Sequence, residues 1–168
     1  MTSSDWFAVT KPQVLRFFFE RLRDVAEEDA SPDEVLYNAS VLAHFAVTST
    51  GSGEFPSTPS SLSTVFDLFV LDRSRCVDPQ VAETAGAQIL FLTGFFHNQM
   101  RRRHNLQWYA SLGASFYDVA ARLAVDRARA RMMQTMALKF GLWRERQHRL
   151  ATELGDEAKL IRQLASDN

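Results

Sequence analysis

The sequence predicts an all-α, single-domain helical bundle of about six helices. Three observations carry that prediction. Apolar residues recur at helical spacing in most segments, several segments open with helix-start signals, and no stretch alternates at period two for long enough to suggest a sheet. The chain of 168 residues is long enough to bury a core without disulfides or metals as staples, so one domain is expected over 1–168.

The elements follow in order. Thr10-Lys11-Pro12-Gln13 offers a capping residue, a proline in the first turn and a glutamine three after the cap. Val14, Leu15, Phe18, Leu22 and Val25 then form one helical face. Ser31-Pro32-Asp33-Glu34 repeats the device, with carboxylates at the positive end of the helix dipole, and the stripe Val35, Leu36, Ala39, Leu42, Ala43, Ala46 follows. Glycines, prolines, serines and threonines between Thr48 and Ser61 predict a flexible connection over 48–61. A short helix is expected over 62–71. Asp78-Pro79-Gln80 opens a further helix reaching Phe95 or Phe96. After the basic turn at 101–105, a helix is expected over 106–124, with Trp108, Leu112, Phe116, Val119 and Leu123 along one side. Asp126 caps a last long helix through Leu154, where Gly141 marks a kink or a close backbone contact. Gly155 stops that helix before a frayed tail over 156–168.

Composition narrows the function classes. Thirteen Phe is a high count, and most of these rings should be core. The single cysteine, Cys76, cannot form an internal disulfide and points to a reducing compartment. No segment approaches the ~20 apolar residues that span a bilayer, and no signal-peptide pattern opens the chain. The expectation is a cytoplasmic protein without membrane contact.

Charge is divided along the chain. Residues 1–100 hold 6 Lys/Arg against 13 Asp/Glu, whereas 101–149 hold 11 against 3. Two halves that fold together and neutralise each other explain this, and so does a basic surface for nucleic acid. The first reading is favoured, because an overall charge of −1 is far from that of a nucleic-acid-binding domain. The arginines at 122, 127, 129, 131, 144, 146 and 149 do not demand one continuous track, and a salt-bridged surface is expected of them.

Chemistry-bearing motifs are missing. Only one of His44, His97, His104 and His148 has a Glu three residues before it, Glu145 before His148, whereas a di-metal bundle needs such a pair on each of two helices. There is no HExxH, no glycine-rich phosphate loop and no GxSxG elbow. His44 reads as a core histidine rather than a metal or haem ligand. His97 and His104 could share a metal or phosphate site only on one continuous helix, and a turn is expected between them. Cys76 lacks a His and carboxylate constellation. No catalytic residue, cofactor or metal is assigned. The cluster Met132, Met133, Met136, Leu138, Phe140, Leu142 and Trp143 reads as core filler, or, if exposed, as an adaptable partner surface.

One stretch resembles a known family. Leu90-Phe91-Leu92-Thr93-Gly94-Phe95-Phe96, then Arg101-Arg102-Arg103, then Trp108-Tyr109 through Gly113 to Phe116-Tyr117, is similar to a Gly-Phe-Phe, basic-turn, Asp-Tyr-Tyr, Gly and Tyr pattern. That pattern belongs to a family of uncharacterised all-helical bacterial proteins. Gln107 and Trp108 stand where the family has Asp and Tyr. The resemblance implies an all-helical fold and brings no activity. Physically the stretch reads as a helix junction, in which Gly94 and Gly113 allow close approach and the aromatics fill the crossing.

Three function classes follow. The leading one is a non-enzymatic protein-interaction module that binds a protein partner or itself. The alternative is a small anionic ligand-binding protein or cofactorless enzyme, with a pocket at the 94–117 junction formed by Phe95, Arg102, Tyr109 and Tyr117. The second alternative, disfavoured, is nucleic-acid binding through the basic 101–149 half.

Overall fold

A computed structural model describes residues 12–26, 28–52, 78–102 and 104–154. Those residues are all-α, forming seven helices and no strand. Expectations that fall on Thr10 and Lys11, on 53–61, on the helix at 62–71, on Cys76, on Arg103, and on Gly155 with the tail after it lie outside the described residues.

The contacts gather into two compact units, one of 1–56 with 146–168 and one of 57–145. In the first unit, α1 (Pro12–Val25) packs on α2 (Pro32–Ser52). Val14, Phe18, Leu22 and Val25 are buried, the face that the spacing predicts. The backbone amide of Glu34 donates to the Ser31 hydroxyl at 3.2 Å, so the expected cap forms. Among the described phenylalanines two are not core: Phe17 and Phe19 are half-buried, beneath the guanidiniums of Arg21 and Arg23 one turn on. Helix α2 continues to Ser52, so helix occupies the start of the connection expected from Thr48. A helix already nucleated loses only about 1 kcal/mol at a glycine and extends readily.

The second unit holds α3 (Pro79–Gly94), the single turn α4 (His97–Met100), α5 (Leu106–Leu123) and α6 (Arg127–Leu138). Helix α7 (Phe140–Leu154) begins in this unit, and the unit boundary falls within it, between Glu145 and Arg146. Asp78, Asn105 and Asp126 cap α3, α5 and α6, each accepting from a backbone amide of the first turn. Helix α5 packs against both α3 and α6.

Two expectations are corrected here. The buried face of α5 is Leu106, Ala110, Gly113, Phe116, Tyr117 and Ala120. Of the expected stripe only Phe116 belongs to it, while Trp108 is 47% and Leu123 38% exposed. The small side chains decide this: a β-carbon on Gly113 would come within 2.5 Å of the Phe140 ring and 3.0 Å of Ile89. Helices approach most closely where residues are small, which a search for large apolar residues passes over. The last long helix is divided at Lys139, whose ψ of 17° departs from helical geometry. Its amide still bonds Thr135 at 2.9 Å, and its carbonyl accepts from Trp143 at 2.9 Å, so one residue redirects the chain. Gly141 has open space around it and makes no close backbone contact.

Candidate functional site

The α3–α5 junction places the four sequence-selected residues in two different environments. Phe95 follows the last residue of α3 and is 1% exposed. Its ring stacks on Phe91, with centroids 5.6 Å apart and planes 8° from parallel, and meets Phe96 edge-on at 5.5 Å. Phe91 and Phe96 complete the triangle at 5.1 Å. Tyr117 is fully buried. Its ring lies on the backbone of Gly86, where a β-carbon would come within 2.9 Å, and its other neighbours include the Phe140 ring at 6.1 Å. These two side chains fill core. A ligand would have to displace packed rings to reach them.

The other two face outward. Arg102 is exposed in the turn after α4, and Tyr109 is half-buried in the first turn of α5. Tyr109 meets Trp108 edge-on at 4.9 Å and His104 edge-on at 5.4 Å. The turn expected between His97 and His104 is present: Arg101 bonds back to His97 at 3.0 Å and His104 to Met100 at 3.0 Å, closing off the helix. Among the described residues no group of three or more His, Cys, Asp or Glu could hold a metal ion. None of their helices is long and apolar enough to cross a membrane.

His44 is half-buried on α2, edge-on to Phe45 at 5.5 Å. Burial pushes its imidazole below the ordinary value of about 6.5. The unfolded chain therefore binds this proton more readily than the folded one. Stability is full above about pH 6.5 and falls as pH drops towards the folded pKa. Urea midpoints measured between pH 7.5 and 5.5 should show that decline, and His44→Gln should flatten it.

The divided charge resolves into specific pairs. Within the second unit Glu83, 3% exposed at its side chain, is bound by Arg129 of α6. Within the first, Arg146 donates to Asp29 at 2.6 Å with its own side chain 3% exposed. Each pair joins a carboxylate of the acidic half to an arginine of the basic half. Sequence reasoning passed over Glu83, although a single carboxylate inside the apolar run of α3 signals a buried partner. Arg144 reaches the Leu106 carbonyl at 3.4 Å, which leaves a different set of arginines on the surface. An open groove of about 370 Å³ between α5 and α6 is lined by Asp118, Arg122, Arg127, Arg131 and Gln134, together with Ala121 and Ala130. Arg122 and Asp118 pair across one helical turn at 2.9 Å, both largely exposed.

No family model, curated protein or solved structure matches this chain. Function is therefore argued from this geometry.

Proposed function

We propose that the chain is a non-enzymatic protein-interaction module acting in the cytoplasm, with self-association included among its modes. The observation that carries this reading is the pair of apolar side chains held in water at the two ends of α6. Val125 is 99% and Leu138 81% exposed. A single exposed apolar residue is ordinary, but here two almost fully exposed ones stand at the two ends of the helix that forms one wall of a groove lined by arginines and alanines. The methionine cluster adds less than the sequence suggests, since Met133, Met136, Phe140 and Trp143 are core. The membership suggested by the Gly-Phe-Phe and basic-turn pattern belongs to the same proposal and adds no activity to it.

A second reading, a site for a small anionic ligand, rests on the exposed Trp108 and half-buried Tyr109 and His104 rings, with the exposed Arg102 two residues before His104 in the chain. It retains two of its four original residues as surface groups. Native mass spectrometry of protein purified from its own host separates the two. The interaction reading expects multiples of the chain mass, or the chain with a second polypeptide. A bare monomer, or a monomer carrying a small molecule, would remove it.

A further inference from the structure

We propose that the α5–α6 groove is the docking site for an acidic, apolar-ended helical segment of a protein partner. This rests on the interaction-module reading and names the surface and the partner's chemistry. Arg127, Arg131, Gln134 and Leu138 fall at steps of four, three and four residues along α6, which puts them on one face of that helix. All four are exposed. Arg122 projects into the same groove from α5. The lining thus presents three guanidiniums against one carboxylate, Asp118, which already pairs with Arg122. Arg129, on the same helix, is not part of this surface, because it is committed to Glu83.

Two features fit a peptide segment better than a phosphate or a nucleic acid. From Arg127 to Leu138 the face is about 16 Å long at the helical rise, the length of a three-turn segment and far longer than one anion. Beyond Arg131 and Gln134 the face ends on the 81% exposed Leu138, and Val125, 99% exposed, stands on the connection at the other end. Phosphate recognition gains nothing from apolar ends. A peptide that places glutamates one turn apart and an aliphatic residue at each end meets both features, since alternate turns of a helix present the same face. Arginine is suited to this role because its planar fork donates two parallel hydrogen bonds to one carboxylate.

The test uses the full chain and a fluorescein-labelled, capped synthetic helix of about three turns. The peptide carries Glu pairs four residues apart and Leu at both ends, and binding is read by anisotropy. Binding should weaken as salt rises. It should weaken about tenfold in the R127E/R131E variant, where two exposed attractions become repulsions. Leu138→Ser should weaken it several-fold. Folding of the variants is checked by circular dichroism; the Arg127→Glu change, in the first turn of α6, is itself favourable to that helix. The proposal is overturned by any of three results: no binding, equal binding of the peptide with Gln in place of Glu, or binding that Leu138→Ser leaves unchanged. Displacement of the peptide by inorganic tripolyphosphate or a short single-stranded oligonucleotide at equal charge would also overturn it, assigning the groove to phosphates. If the groove fails while native mass spectrometry still finds a protein complex, only the docking site falls. If both fail, the interaction-module reading falls with it.

Discussion

Tyr117→Ala is expected to destabilise the protein by about 3–5 kcal/mol, the range for removing a large buried ring. The ring is fully buried between the Gly86 backbone and its neighbours on the far side, Phe140 among them. Its removal leaves a cavity bordered by helix backbone, which cannot collapse to fill it as side chains might. At this chain length the melting temperature should drop by roughly 10 °C. Tyr117→Phe keeps the ring and should cost about 1 kcal/mol or less, the net worth of one hydroxyl hydrogen bond. Differential scanning calorimetry of the two variants checks this. Equal losses would mean that the hydroxyl, not the ring, is what the site requires, and would return Tyr117 to the list of functional residues.

The second large effect concerns Glu83 and Arg129. Arg129→Ala leaves the Glu83 carboxylate, 3% exposed at its side chain, without the guanidinium that binds it. Breaking a buried pair from one side costs about 3–5 kcal/mol. Glu83→Gln should cost less, because Arg129 is 17% exposed and its head group can turn towards water. The double variant E83L/R129M is expected to recover most of the loss, since well-packed apolar side chains of similar volume often replace buried ion pairs without penalty. Chemical denaturation of the three variants gives the ordering. A double variant as unstable as Arg129→Ala would show that Glu83 serves other contacts more than it serves this pair.

How much was legible in the sequence differs from helix to helix. The starts at Ser31 and Asp78 were readable because capping is local chemistry: a side chain within three residues of the amide it satisfies. The face of α1 was readable because Val14, Phe18, Leu22 and Val25, apolar residues at helical spacing, are also its buried ones. The face of α5 was not. There Ala110, Gly113 and Ala120 turn inward while Trp108 stands in solvent, so the packing distance between helices, rather than side-chain size, selects what is buried. The candidate site divides in the same way. The pattern from Gly94 to Tyr117 was visible, but the assignment of Phe95 and Tyr117 to core and of Arg102 and Tyr109 to surface follows from which helix lies across them.

Alone, the sequence determined the all-α class, the caps that begin the helices, and the division of charge between an acidic stretch before residue 101 and a basic one after it. These depend on periodicity and on neighbours a few residues apart. Tertiary structure alone decided which arginines were withdrawn into pairs with Glu83 and Asp29, and which remained at Arg122, Arg127 and Arg131 to line a groove. The physical reason is range. A cap spans three residues, whereas Arg129 and Arg146 find their carboxylates 46 and 117 residues away, a distance over which only the folded path of the chain can choose a partner.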